Sequence, residues 1–451
     1  MGNLENGQEP LTALMDNKAP RSLELQKRFH RVIPGGSHTY AKGDDQYPAS
    51  PPIYITRGKG CHVWDAEGSE YIEYAMGLRS VTLGHACQPV VDAVARELFK
   101  GSNFNRPATI ELECAEKLLE LVPGAEMVKF AKNGSDANDA AVKLARAHTG
   151  RDLVAICRDQ PFFSVGDWFI GTTPMNAGIP QAVQELTVGF HYNDLAGAAA
   201  VFRQHPGKIA AVVLEAEKET PPVEGFLTGL RDLCHKEGAL LILDEMITGF
   251  RWHNGGAQTY YNLVPDLSTF GKALGNGFSL SALTGRREIM RLGGLDHDQP
   301  RVFLLSTTHG AETHTLAAGL AVMNTYQQEP VVQVLWEQGR KLAAGINRVI
   351  ADQKLEGYFT IAGKPCCLTY GTRDADKRPS QAFRTLFLQE IIRHGILAPS
   401  FVVSYAHSDD DIEKTIQAVH AALSIYRKAL TDGVEKYLQG RPVKPVARRY
   451  N

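Results

Sequence analysis

The chain has 451 residues, 43% hydrophobic and 22% charged, with a formal net charge of −2. That length exceeds what one hydrophobic core commonly supports, so two or three domains are expected. A near-neutral chain also gives no electrostatic footing for nucleic acid or an anionic bilayer. No apolar run approaches the ~20 residues of a membrane span. The seven cysteines are irregularly spaced and include no CxxC pair, which fits reduced thiols in a cytoplasmic protein and neither a disulfide framework nor a metal site.

The first residues are polar and lack the basic start and apolar core of a secretory signal. A helix is expected over Arg21–Val32, broken by Pro34-Gly35-Gly36 and followed by a loop to residue 52. Ile53–Thr56, Cys61–Trp64 and Tyr71–Tyr74 read as short antiparallel strands, joined by turns at Arg57–Gly60 and Asp65–Gly68. Residues 1–80 thus form a small N-terminal helix and antiparallel segment. From about residue 88 helices and strands alternate. Helices are expected at Gln88–Lys100, Ile110–Leu121 and Asp136–His148, the last with Ala137, Ala140, Ala141, Leu144 and Ala145 on one face. Met127–Ala131, Leu153–Cys157, Ile209–Leu214 and Leu240–Leu243 read as buried strands. This succession predicts an α/β fold, a mostly parallel doubly wound sheet, over residues 81–325. Residues 326–451 read as an α+β module. It has a long helix at Val331–Ile350, strands at Tyr358–Ile361 and Cys367–Tyr370, and a helix at Ser380–His394. Its last helix is opened by Ser408-Asp409-Asp410-Asp411. The tail from Gly440 carries Arg441, Lys444, Arg448 and Arg449 and reads as a solvated or subunit-contacting arm.

Two residues organise the chemistry. Asp244 stands where the run Ala239–Leu243 should end as a strand, and ligands in open α/β sheets gather at the carboxyl ends of strands. Lys272 lies in Phe270-Gly271-Lys272-Ala273-Leu274-Gly275, where apolar neighbours would desolvate its amine and lower its pKa. A strand-end carboxylate and a desolvated lysine among glycines are what pyridoxal phosphate chemistry needs: the carboxylate keeps a pyridine nitrogen protonated and the amine forms a Schiff base. Asn133-Gly134-Ser135-Asp136, between a strand and a helix, offers backbone N–H groups and a hydroxyl to an anion. For each the structural alternative is a cap or a solvated side chain.

Read together, LILDEMITGFR and PDLSTFGKALGNGFSLSALTGRREIM resemble the class III branch of the fold type I pyridoxal phosphate aminotransferases, in particular glutamate-1-semialdehyde aminomutase-like enzymes. IPGGSHTY, GKGCHVWDAEGSEYIEY, TLGHA, FAKNGSDANDAAVKLAR and TTHGAETHTLAAGLA match further landmarks in order, so the resemblance covers about Ile33 to His420. It implies that Lys272 holds the cofactor and shuttles a proton, and that Asp244 pairs with the pyridine nitrogen. Gly134 and Ser135 would bind the phosphate, Met246 would pack on one face of the ring, and Thr308 would reach the phosphate of a partner subunit's cofactor in a homodimer with shared sites. Glu215 stands where the family has Glu-Pro, with Ala216 in place of the proline. The family's Tyr-His-Gly is replaced by Phe162-Phe163-Ser164, leaving Phe162 to stack on the ring.

The family's substrate-binding arginine is matched by Lys42, which lacks the bidentate fork. The run Ala398–Tyr405 lacks the family's acidic residue. These departures argue against glutamate semialdehyde. STTHGAETH and APSFVVSYAH are similar to sugar aminotransferases of surface-polysaccharide (lipopolysaccharide) biosynthesis, in particular those forming 8-amino-3,8-dideoxy-manno-octulosonate. That resemblance implies an amine donor such as L-glutamate and a carbonyl acceptor that is a sugar or sugar acid, held by Lys42, Arg79, His309 and His407. The alternatives are an intramolecular aminomutase and a binding protein that kept the fold without the chemistry.

Overall fold

The computed structural model describes residues 19–49, 51–161 and 163–450. The reading of the first residues and the stacking role of Phe162 lie outside that range. The chain divides into two compact units, one of residues up to Leu78 with Trp336–Val446, the other of Arg79–Leu335 with the residues from Ala447 onward.

The chain opens in the first unit with helix α1 (Pro20–Val32), which has proline in its first turn and ends at the extended Ile33. Gly35 and Gly36 then both take φ +70, a left-handed backbone that glycine adopts without strain. Strands β1 (Ile55–Lys59), β2 (His62–Asp65) and β3 (Glu70–Glu73) pair antiparallel in sequence. The expected turn at Arg57–Gly60 is corrected: β1 runs on through Lys59, and only Gly60, at φ +60, turns the chain.

The second unit holds helices α2 (Gln88–Leu98) and α3 (Thr109–Leu121), strand β4 (Met127–Ala131), helix α4 (Gly134–Thr149), strands β5 (Leu153–Cys157) and β6 (Thr187–Phe190), helix α5 (Leu195–Gln204), strand β7 (Ile209–Leu214), helix α6 (Phe226–Lys236), strands β8 (Leu240–Asp244), β9 (Leu267–Phe270) and β10 (Ser281–Gly285), and helix α7 (Thr313–Gln328). Its sheet has seven strands in the order β4-β10-β9-β8-β7-β5-β6. The run from β9 to β6 is parallel, and β10 is antiparallel to both its neighbours. Every residue of β7 and β8 is buried, as expected of central parallel strands whose sequence is apolar up to the terminal Asp244 of β8. The small face of α4 (Ala140, Ala141, Leu144, Ala145) packs in one core with Val154, Val213 and Ile242. Strand β9 was not legible because Ser268 and Thr269 are polar. They are buried here because Ser268 Oγ donates to Gln258 at 2.9 Å and Thr269 Oγ1 to Asn138 at 2.9 Å.

The chain returns to the first unit along helix α8 (Val331–Asp352), followed by strands β11 (Phe359–Ala362) and β12 (Thr369–Thr372), helix α9 (Gln381–Arg393), strand β13 (Ile396–Leu397) and helix α10 (Asp409–Asp432). Strand β13 adds parallel to β3, so the first and last segments of the chain share one sheet. Ser408 caps α10: its Oγ accepts from Asp411 N–H at 3.2 Å, and Asp411 accepts from Ser408 N–H at 2.9 Å. Asp411 also accepts from the buried Cys61 thiol and meets His62 at 3.0 Å. Burial and that carboxylate push the thiol's pKa up, so Cys61 stays a protonated donor. The basic tail is not free over its first residues. Arg441 donates to the Asp44 carbonyl at 2.5 Å, and Lys444 N–H to the Asp45 carbonyl at 3.0 Å. Among the described residues no helix is long and apolar enough to cross a membrane.

Gly339, within α8, has no room for a side chain: a Cβ would stand 1.8 Å from the Pro365 carbonyl oxygen. Gly339→Ala is therefore expected to cost about 1–3 kcal/mol, the price of overpacking, read as a lowered urea midpoint of the purified protein.

Candidate active site

The carboxyl edge of the sheet in the second unit collects the titratable groups. Asp244 is the last residue of β8 and is 2% exposed. Both its oxygens are held. Asn138 Nδ2, on α4, donates to one at 2.9 Å, and Met246 N–H donates to the other at 2.8 Å. Asn138 is itself fixed, giving its second donor to the Phe163 carbonyl at 2.7 Å and accepting from Thr269. Burial raises the Asp244 pKa, and the positive charge of Lys272 works against that rise. The adjacent acid, Glu245, is not part of this group. Its carboxylate accepts from the N–H groups of Ala257 and Gln258 at 2.8 and 2.7 Å and from the Thr248 hydroxyl, so it braces a loop.

Lys272 follows β9 across Gly271 and is partly exposed. Its φ of 46 lies in the left-handed region, a conformation that costs a non-glycine residue about 1–3 kcal/mol and clusters at functional sites. The loop is anchored four residues on, where Asn276 accepts from Leu83 N–H at 2.9 Å and donates to the Gly84 carbonyl at 3.1 Å. Burial lowers the Lys272 pKa. Asp244 and Glu215 oppose that, while Arg79 and Arg251 reinforce it.

The anion turn is built differently from the expectation. Helix α4 begins at Gly134, not Asp136, and its cap is Asn133, whose side chain accepts from Asp136 N–H at 3.1 Å. Ser135 is thereby freed from capping, and its Oγ accepts from Val165 N–H at 2.9 Å. Met246 joins the three segments. A Cβ on Gly134 would stand 2.8 Å from its Sδ, and a Cβ on Gly271 2.6 Å from it. Met246 thus packs against both glycines, which brings the anion turn, the Asp244 strand and the Lys272 loop to one place.

Glu215, directly after β7, is 4% exposed and one of its carboxylate oxygens has no hydrogen-bond partner. Its backbone is clamped by Gln160, which donates to the Glu215 carbonyl at 2.9 Å and accepts from its N–H at 3.0 Å. Burial first, then the negative charge of Asp244, raise its pKa to about 7.

Of the remaining expected residues, Arg79 is half-buried in this unit, its Nε without a partner. Thr308 and His309 are exposed: the Thr308 carbonyl accepts from Asn103 at 3.1 Å, and His309 pairs with Glu312 at 3.0 Å. Lys42 and His407 belong to the other unit. Lys42 is exposed on a short turn. His407 is 2% exposed, packs 4.4 Å from the Tyr74 ring and bonds to Ser404, so its ring serves the core of that unit. Phe163 likewise is core, 5.0 Å from Phe169. Asn138 and Arg251 escaped sequence reasoning. A lone amide on the apolar face of α4 was the available signal for the first, and the second sits inside the same motif as Asp244.

The residues present fit a pyridoxal phosphate. The turn at 133–135 presents a helix N-terminus to a phosphate, Asp244 is a desolvated carboxylate suited to a ring cation, and Lys272 is an amine of lowered proton affinity. A family profile described as "Aminotransferase class-III" matches residues 43–423. The chain is 34% identical to a glutamate-1-semialdehyde 2,1-aminomutase of Desulforamulus reducens over 89% of its length and 97% of the relative's. It is 29% identical to a 3-aminobutyryl-CoA aminotransferase of Cloacimonas acidaminovorans over 92% and 99% of the two chains. Among solved structures it resembles the pyridoxal phosphate internal aldimine form of FumI from Sphingopyxis sp. MTA144, with a TM-score of 0.83 and 26% identity over 94% of this chain and 99% of that one.

Glu215 and Glu245 both bind protons more tightly folded than unfolded, each with a pKa raised from 4.5 to about 7. The folded state therefore takes up protons between those values, and stability falls as pH rises through that window. Unfolding midpoints of the cofactor-free protein are expected to drop from pH 5 to pH 7.5, and the drop should be smaller in Glu215→Gln, which cannot titrate. Equal slopes for both proteins would show that Glu215 is ionised throughout.

Proposed function

The chain belongs to the class III aminotransferases, enzymes whose cofactor is pyridoxal phosphate, and from that premise we propose that its Lys272 site moves an amine from an amino acid, L-glutamate, to a carbonyl-bearing acid. The observation that carries this reading is the meeting of Asp244, Lys272 and the 133–135 turn around Met246. When bound, the cofactor supplies an electron sink that lowers the cost of taking a proton from the carbon bearing the amine. Lys272 Nζ is the nucleophile that would hold the cofactor and the base that would carry that proton, because desolvation lowers its affinity for a proton. Asp244 holds the ring nitrogen's proton through charge. The N–H groups at the start of α4 and the Ser135 hydroxyl hold the phosphate, and Met246 packs on the ring. Glu215, protonated in part at neutral pH, can donate a hydrogen bond to a substrate oxygen.

For the acceptor we assign an anionic aldehyde or ketone, recognised in the second unit by Arg79. The specific candidate is a sugar acid, 8-oxo-3,8-dideoxy-manno-octulosonate, and it rests on the runs Ser306–His314 and Ala398–His407 alone. The second reading, an intramolecular aminomutase, is favoured by the relative from Desulforamulus reducens and opposed by Lys42 in place of arginine. The two separate cleanly. An aminotransferase given L-glutamate alone releases one 2-oxoglutarate per site, whereas failure of every free amino acid to yield its oxo acid would defeat the transferase reading. Lys272→Ala is expected to slow turnover by roughly 10²–10⁴, the scale of a lost acid–base group, while a catalytically silent binding protein would be unaffected.

We also assign a homodimer with shared sites, placing Thr308 at the partner's phosphate. Its support is the exposure of three large aromatic side chains on the second unit: Phe99 is 94% exposed, Phe104 52% and Phe303 68%. Phe99→Glu is expected to shift the mass in light scattering from two chains toward one and to weaken cofactor retention. A variant that stays dimeric with its cofactor would remove Phe99 from the interface.

A further inference from the structure

Arg251 is a buried cation that the chemistry above does not use. It is 0% exposed and lies in the loop that leaves Asp244. Its Nη1 donates to the Ile247 carbonyl at 2.9 Å, and its Nη2 donates to the Arg79 carbonyl and to Thr82 Oγ1, the latter at 3.2 Å. Arg79 ends a run of four residues with left-handed backbone: Met76 at φ 43, Gly77 at 57, Leu78 at 58 and Arg79 at 70. L-residues avoid this conformation and do not repeat it without external support. A guanidinium offers that support because its planar fork reaches two carbonyls in different segments at once, a geometry that a lysine ammonium on its single stem does not reproduce.

We propose that Arg251 is a positioning residue of the active site: by tying the left-handed backbone at Arg79 to the loop that follows Asp244, it keeps the Arg79 guanidinium facing Lys272 and Glu215. This rests on the reading of Lys272 as the lysine that holds the cofactor. The charged groups that act most on Lys272 are Asp244 and Glu215, which favour its protonated form, and Arg79 and Arg251, which disfavour it. Arg79 also lowers the pKa of Glu215, against the rise due to burial. Releasing the Arg79 backbone removes one positive charge from this balance, although Arg79 itself is still present.

The test is a double-mutant cycle on the cofactor-loaded protein with Arg251→Lys, Arg79→Ala and the pair. The readout is the pH midpoint of the visible absorption, which follows the proton on Lys272 Nζ. Arg251→Lys keeps the charge and loses the fork, so it is expected to raise the midpoint by about one pH unit, as loss of a nearby like charge does. Arg79→Ala is expected to raise it similarly, and adding Arg251→Lys to Arg79→Ala should change nothing further. A wild-type midpoint in Arg251→Lys, or the same shift with and without Arg79, overturns the proposal. If Arg251→Lys does not fold, Thr82→Val, which removes one acceptor of Nη2 and keeps both arginines, is read in the same cycle with the same two outcomes. Lys272→Ala separates the two levels: if it retains the pH-dependent absorption, the reading of Lys272 fails, whatever Arg251 does.

Discussion

A carboxylate buried at the end of a parallel strand is the constraint on which the rest of the site depends. An uncompensated buried charge costs several kcal/mol, and Asp244 is compensated from three sides: the Asn138 amide, the Met246 N–H and the charge of Lys272. Each compensation imposes something further. Asn138 must stand on the otherwise apolar face of α4, and it must in turn be held by Thr269 and by the Phe163 carbonyl. That is why β9 carries polar residues in the middle of a buried sheet. The polar network is satisfied member by member, which is the condition under which a buried network orders a core instead of loosening it.

The backbone around this network is unusually strained. Lys272, Phe250 and the run from Met76 to Arg79 all have positive φ, and Gly134 and Gly271 lie so close to Met246 that a Cβ on either would displace its side chain. Strain of this kind persists only where packing over-determines the conformation. Here the packing is supplied by buried side chains that bond to carbonyls, with Asn276 and Arg251 as the two clearest cases. The lysine is thus presented by a backbone it would not choose, on a loop pinned at both ends.

The residues expected to hold the cofactor lie in one unit, and those expected to read the substrate lie in both. Asp244, Lys272, Gly134, Ser135, Met246, Glu215 and Arg79 all belong to the second unit, while Lys42 and His407 belong to the first. His407 turned out to be a neutral core residue, its pKa lowered to about 4 by burial. Its motif was legible and its role was not, because a sequence shows which residue is present and not which way its ring is turned.

The alternation of apolar strands and helices, the strand-end position of Asp244, the glycine-flanked Lys272 and the anion turn could all be read along the chain. Those features are local: they depend on periodicity, on a residue's place within its own element and on the backbone freedom of glycine. The antiparallel β10, the addition of β13 to β3, the release of Ser135 from capping and the docking of Arg441 on Asp44 could not. Each of these is a contact between segments far apart in sequence, and its partner is selected by packing and by the need to satisfy buried polar groups. The sequence by itself determined which chemistry the chain carries. Only the tertiary structure decided the electrostatic setting of that chemistry, because the proton affinities of Lys272, Asp244 and Glu215 depend on burial and on charges brought near by folding.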